Sequence, residues 1–170
     1  MKVSKKYLVL TCIIVILAIA INVYIIVHAC LNGSDSSKAS QGIVDVSKDV
    51  INTVAPGTVT ESNYPSFATF IRKAFGHFGL FMINGILSPW AIYLALNPLK
   101  SSRYWILITY ALEFGLLIAL ITETIQLNVA GRSGELRDVL IDYGGYFLGF
   151  SIIFFILLPI SIKKYKKRQA

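Results

Sequence analysis

The sequence is poor in cysteine and histidine, and the positions of these residues exclude a disulfide and a metal site built from cysteine and histidine. Cys12 and Cys30 lie in one apolar run, and on a straight helix they would be about 27 Å apart, far beyond disulfide distance. His28 and His77 are the only histidines, so no cysteine/histidine cluster has the spacing of metal ligands. The sequence therefore predicts no disulfide between these cysteines, no metal site and no cofactor.

Charged residues are also scarce, at 15% of the chain against 55% apolar residues, which excludes an ordinary soluble domain. The net charge of +7 does not indicate nucleic-acid binding, because five of the sixteen basic residues form a tail directly after an apolar run. Such tails lie on the cytoplasmic side of membrane proteins, where they bind anionic lipid. The residues of this tail are Lys163, Lys164, Lys166, Lys167 and Arg168.

Four apolar runs are long enough to cross a bilayer, which predicts an all-α, multi-pass protein of the cell membrane. The runs cover about residues 7–31, 74–96, 104–128 and 138–162 of one domain, 1–170, with an external loop at 32–71. The first run has a rival interpretation as a secretory signal peptide. At 25 residues without Asp, Glu, Lys or Arg, it exceeds the 7–15-residue apolar core of a signal peptide, so a retained helix is favoured.

The loop at 32–71 contains an apolar stripe with helical spacing, which predicts a short amphipathic helix ended by Pro56-Gly57. This helix is expected to lie on the membrane surface, to cap the bundle, or to be a solvated helix of the loop. The stripe consists of Ile43, Val46, Val50 and Val54. Ser66, after Pro65, is predicted to be the N-cap of the next helix.

The distribution of basic residues predicts that both termini are cytoplasmic. With four spans and this orientation, ten basic residues lie inside and six outside, and none of the nine acidic residues falls in a cytoplasmic segment. The inside set is Lys2, Lys5, Lys6, Lys100, Arg103 and the five tail residues.

Polar residues recur with helical spacing in the second and fourth spans. Lys73, His77, Asn84 and Ser88 share one face of the second span, which is expected to end near Asn97-Pro98. In the fourth span, two carboxylates are followed on one face by Gly145 and Gly149. Small residues at this spacing allow a second helix to approach closely, so these glycines are assigned to packing.

The predicted topology brings polar residues from three helices to the same depth near the outer boundary. Ionisable groups in membrane spans cost free energy, so their presence indicates a functional role. The expected ligand-binding set is Lys73, His77, Glu123, Gln126, Arg132, Arg137, Asp138 and Asp142. The two arginines can pair with the carboxylates. Glu113, which lies deeper, is expected to form a hydrogen bond between helices.

Three interpretations of this set remain open at this point. It is a buried polar network that fixes helix register, a binding site for an amphiphile with a charged head group, or a catalytic site. In the catalytic case, His77 or a carboxylate acts as general base.

These residues resemble the VanZ-like family of small bacterial membrane proteins. The resemblance rests on three motifs in order, within about Ser66 to Gly149. They are Arg72-Lys73-x3-His77, Glu123-x2-Gln126, and Arg132-x5-Asp138-x3-Asp142-x2-Gly145-x3-Gly149. The loop serines Ser36, Ser37 and Ser40, with the helix after Gln41, resemble a Gram-positive subgroup.

The resemblance implies a link to the cell envelope and to tolerance of the glycopeptide teicoplanin, with a lipid or a lipid-linked cell-wall precursor as partner. It implies no defined reaction, so the catalytic residues are unknown. Two departures stand out. Asp142 occupies a position where the family usually has asparagine, and Phe75-Gly76 replaces a small apolar pair before His77.

Overall fold

The computed structural model describes residues 5–96 and 102–169. Within them the chain is entirely helical, without strands, and four helices are long and apolar enough to cross a membrane. This confirms the predicted all-α class with four spans. The expected helix end at Asn97-Pro98 and the basic residues Lys2 and Lys100 lie outside the described residues, as do the side chains of Arg103 and the basic tail.

Within the residues that the structure describes, six α-helices and one π-helical segment follow one another. The bounds are α1 (Lys5–Ala29), α2 (Gly33–Val54), α3 (Tyr64–Ile71), the π segment (Arg72–Gly79), α4 (Leu80–Leu96), α5 (Ser102–Gln126) and α6 (Leu136–Gln169). From α3 to α4 the helical path is continuous, so the second span begins ten residues before the predicted start at residue 74. The N-cap of α3 is Asn63 and not the predicted Ser66, which lies inside the helix, and Pro65 is in the first turn.

The first helix packs into the bundle through both polar and apolar contacts. The Tyr7 hydroxyl donates to the Leu94 carbonyl at 2.9 Å, so the start of α1 lies beside the end of α4. Deeper in the bundle, the Asn22 amide donates to the buried Asn84 and Ser88 at 3.1 and 3.0 Å. The predicted polar stripe of the second span therefore divides, with Asn84 and Ser88 facing α1 and the other two residues facing α5 and α6.

Close contact of α6 with the π segment and with α4 depends on glycine. A Cβ atom on Gly145 would collide with the backbone of Phe78, and one on Gly149 would collide with the backbone of Met82. Gly85 makes the reciprocal contact with the backbone of Tyr146. Tyr146 is fully buried and its hydroxyl donates to the Ala111 carbonyl at 2.7 Å, which ties α6 to α5. The packing assigned to Gly145 and Gly149 is what the structure has.

The amphipathic helix is present as α2, but it is longer than predicted and its faces are arranged differently. Its 22 residues begin after the N-cap Asn32, whose side chain accepts from the Asp35 N–H. Val44 is completely buried against Ala68 and Ile71. The stripe defined by Ile43, Val46, Val50 and Val54 is instead 40–84% exposed. The stripe does not cap the bundle core, and its outward position fits both a helix on the membrane surface and a solvated helix of the loop.

Candidate functional site

The polar residues meet at the end of the bundle where α1 and α5 end and α6 begins. The π segment carries two of them, and its wider turn shows in the backbone, because the Leu80 N–H donates to the carbonyl of Phe75, five residues earlier. Segments with this spacing are rare and are frequent at functional sites. Here the segment directs Lys73 and His77 toward α5 and α6.

Lys73 forms the main ion pair of the site. Its ammonium lies 2.5 Å from the Asp138 carboxylate and 3.5 Å from that of Glu135. Asp138 is buried in the first turn of α6, where the positive end of the helix dipole also stabilises a carboxylate. The pair joins the second span to the beginning of the fourth.

His77 lies between two buried carboxylates from different helices. Its Nδ1 is 3.0 Å from Asp142 Oδ1 and 3.8 Å from Glu123 Oε1. The Glu123 carboxylate is held from both sides, because the Gln126 amide and the Glu135 backbone N–H each donate to it at 3.1 Å. The second oxygen of Asp142, Oδ2, is buried and accepts no hydrogen bond from the described part of the chain.

Two arginines stand apart from these carboxylates. Arg132, in the connection between α5 and α6, donates to the buried hydroxyl of Ser36. Arg72 donates from Nε to the Ser40 hydroxyl at 3.1 Å, and a second nitrogen lies 3.4 Å from the Gln41 amide oxygen. Burial lowers the pKa of the Arg132 guanidinium, and the nearby negative charges of Glu123 and Asp138 act against this. Arginine keeps its charge in proteins, so both groups are cationic.

A cavity of about 400 Å³ lies between α1, α2, the π segment and the end of α5. Arg72, Lys73, Arg132, His77 and Asp142 line its polar part. Its apolar part is formed by residues from α1, the π segment and the start of α4. These include Tyr24, Ile25, Phe75, Leu80 and Phe81.

The structure brings together most of the predicted set, with two changes. Lys73, His77, Glu123, Gln126, Asp138 and Asp142 form one connected cluster, and Arg132 lies across the cavity. Arg137 is exposed and has no ion pair among the described residues. The expected pairing of the arginines with the carboxylates is therefore wrong. Lys73 fills that role because the π segment faces α6 directly.

Sequence reasoning missed the residues that α2 contributes. Ser36 and Ser40 are spaced i, i+4 and, with Val44, define the face of α2 that points inward. The interpretation of α2 followed its apolar stripe, although small hydroxyl residues at helical spacing also indicate a packed face. Arg72 belonged to a recognised motif without being assigned to the site.

The hydrogen bond expected between Glu113 and another helix is not found among the described residues. Glu113 lies on the exposed face of α5. The apolar core takes up the inward face of α5 with Ala111, Ile118 and Ala119. Glu113, two residues from Ala111, points away from that core.

Comparison with protein families identifies the family of this chain. A family model described as VanZ/LLP1 matches residues 10–158. The chain belongs to the VanZ/LLP1 family. It is thus a VanZ-like multi-pass membrane protein, and the match includes all residues of the polar cluster and the cavity. No curated protein and no solved structure shows a significant match to this VanZ-like chain.

Proposed function

We propose that the cavity binds the anionic head group of an amphiphile of the cell envelope, such as a lipid-linked cell-wall precursor. Binding would take place in the cell membrane and lower susceptibility to glycopeptides such as teicoplanin. Membership of the VanZ/LLP1 family supports this role. The observation that carries the proposal is a cavity with two arginines whose side-chain hydrogen bonds, among the described residues, all go to neutral groups.

The hydrogen bonds of these arginines leave most of their capacity free. A guanidinium offers five N–H donors. Arg132 uses one toward Ser36, and Arg72 uses two toward Ser40 and Gln41. Because hydroxyl and amide oxygens do not neutralise the charge, both groups favour an anionic ligand. Paired N–H donors match phosphate and carboxylate oxygens.

The remainder of the cavity suits an acyl or prenyl chain. Tyr24 and Phe75 line the cavity and are also about half exposed on the surface of the bundle. A hydrocarbon chain attached to a bound head group can therefore extend over these side chains into the bilayer. The count of basic residues, ten against six, favours the outer leaflet for this end of the bundle.

We expect the Arg72→Gln/Arg132→Gln double variant to bind undecaprenyl diphosphate at least about tenfold more weakly than the wild type, because two charge-assisted contacts are lost. Native mass spectrometry or microscale thermophoresis of the purified full-length protein in dodecyl maltoside measures this. Arg137→Gln is the matched control, since it removes an exposed arginine that does not line the cavity. Equal weakening by the control would contradict a cavity-specific effect.

A cellular test asks whether the same site acts in envelope tolerance. Glu123→Gln, Asp138→Asn and His77→Ala, expressed at wild-type level, should each lower the minimal inhibitory concentration of teicoplanin toward that of a deletion strain. Unchanged tolerance in all three variants would show that this cluster is not the functional site. A fall in folded protein without any other change would indicate a purely structural network.

A second candidate function, a membrane enzyme acting on a lipid or lipid-linked envelope substrate, is favoured by the pair of His77 and Asp142. A buried carboxylate 3.0 Å from an imidazole nitrogen orients the ring, as a general base requires. If the protein is such an enzyme, mass spectrometry should show a different lipid or muropeptide profile in a deletion strain than in the wild type. Identical profiles in the deletion and wild-type strains would contradict catalysis.

A further inference from the structure

His77, Glu123 and Asp142 bring three metal-ligating groups together from three different elements of the bundle. One ligand atom from each, the imidazole nitrogen and two carboxylate oxygens, lies within 4.8 Å of the others. The spacing of cysteines and histidines along the chain predicts no metal site. Two of these ligands are carboxylates, and the three residues meet only through the packing of the π segment, α5 and α6.

An unsatisfied atom at this place points to a missing ligand. Asp142 is 1% exposed, and its Oδ2 accepts no hydrogen bond from the described residues. Buried carboxylate oxygens are ordinarily hydrogen-bonded or bound to a cation. Asp142 also lines the cavity, so this oxygen belongs to a residue at the polar end of the cavity.

The charged groups in contact with one another carry an excess of negative charge, which also favours a bound cation. Glu123, Asp138 and Asp142 are three buried carboxylates, and Lys73 is the one permanently charged cation that contacts any of them among the described residues. With a neutral imidazole, two negative charges remain without a contacting cation. A divalent cation compensates both, and a neutral imidazole is the form that binds metal.

The distances are compatible with one ion. Ligand atoms on a tetrahedral zinc ion, with bonds of about 2.0–2.2 Å, are about 3.4 Å apart. The structure has His77 Nδ1 at 3.0 Å from Asp142 Oδ1 and 3.8 Å from Glu123 Oε1, and one ligand atom of each residue lies within 4.8 Å of the others. Rotation of the side chains is therefore sufficient to bring one atom of each residue to that spacing. We propose that His77, Glu123 and Asp142 bind a divalent transition-metal ion of the zinc class.

The ligand set indicates which metals the site takes. One imidazole with two carboxylates suits Zn²⁺ or Mn²⁺, whereas Mg²⁺ and Ca²⁺ prefer all-oxygen sites. Three protein ligands leave further positions on the ion, and His77 and Asp142 both line the cavity. The ion therefore forms part of the cavity wall and can accept an oxygen of a bound molecule or water.

The carboxylate of Asp142 is essential to this site, because an asparagine at the same position would offer only a neutral and weaker oxygen donor. The carboxylate supplies the second negative charge of the site. The inference does not depend on the head-group proposal, because metal binding is measured without any lipid ligand.

The experiment titrates Zn²⁺ and Mn²⁺ into the chelator-treated, full-length protein in dodecyl maltoside, with Mg²⁺ as comparison, by isothermal titration calorimetry. A Cys12→Ser/Cys30→Ser background removes the two exposed thiols as competing ligands, and an affinity tag without histidine is used. We expect one Zn²⁺ per chain. Asp142→Asn and Glu123→Gln should each weaken binding by about 100-fold or more, beyond the 10–100-fold typical of residues that only support a ligand.

Glu135→Gln is the matched control, because it removes an exposed negative charge from the same cluster without removing a ligand. It should stay within about threefold of the background protein. Absence of Zn²⁺ and Mn²⁺ binding by the background protein, or equal affinity in Asp142→Asn, overturns the proposal.

A measurement on the unsubstituted site covers the case in which a variant does not fold. X-ray absorption at the zinc edge of the background protein should show one imidazole among oxygen ligands. Bound zinc without imidazole scattering would place the ion elsewhere and refute the assignment.

Discussion

Gly145→Leu is expected to prevent stable folding of the bundle. A side chain at this position collides with the backbone of Phe78, and a helix backbone cannot yield as a flexible side chain can. The helices α4 and α6 would have to separate and lose the contacts of Gly85, Gly149 and Tyr146. We expect a destabilisation of about 3 kcal/mol or more, measured by SDS-induced unfolding monitored by circular dichroism.

Gly144→Leu provides the control on the adjacent residue. Gly144 is exposed, and a Cβ there comes no closer than 4.0 Å to another side chain, the ring of Phe78. Leucine also has a higher helix propensity than glycine, by about 0.8 kcal/mol. The control should therefore fold at least as well as the wild type. Similar behaviour of the two variants would contradict glycine-dependent packing of α4 on α6.

Lys73→Met is expected to destabilise the protein by about 3 kcal/mol, because it leaves the buried carboxylate of Asp138 without its cation. This value is at the low end for a buried pair, since the Lys73 side chain is 28% exposed. The double variant Lys73→Met/Asp138→Leu should recover most of the loss, because neither charge is then buried alone. The same SDS titration measures both variants.

A surface pair serves as the control for this result. Lys38 lies 3.7 Å from Asp35, and both side chains are more than half exposed. Lys38→Met should change the unfolding free energy by about 0–1 kcal/mol. A cost in Lys73→Met no greater than in Lys38→Met would show that the Lys73–Asp138 pair does not stabilise the bundle.

The number of spans and the position of the polar cluster could be predicted from the sequence, for a simple physical reason. A span is defined by its own length and apolarity, and antiparallel connection of four spans fixes which helix ends meet. Glu123, near the end of α5, and Asp138, near the start of α6, are therefore near one another whatever the details of packing. His77 follows because the preceding span runs in the opposite direction.

The partners within the cluster could not be predicted, because they depend on helix rotation. Whether Lys73 or Arg137 reaches Asp138 depends on the π segment, and no local pattern in the sequence indicated a wider turn there. The prediction of which face of α2 points inward was wrong for a related reason. In water, an apolar stripe faces the core, but beside a bilayer the apolar side of a helix can face lipid, and small polar residues such as Ser36 can face the bundle.

The hydrogen bonds between α2 and the two arginines have a consequence for how such proteins diversify. Ser36 and Ser40 hold Arg132 and Arg72 from outside the core shared by α4, α5 and α6. Substitutions along α2 can therefore reorient the cationic groups while the glycine contacts between α4 and α6 remain intact. Under the proposed function, ligand preference and structural integrity would then evolve largely separately, because the two depend on different helices.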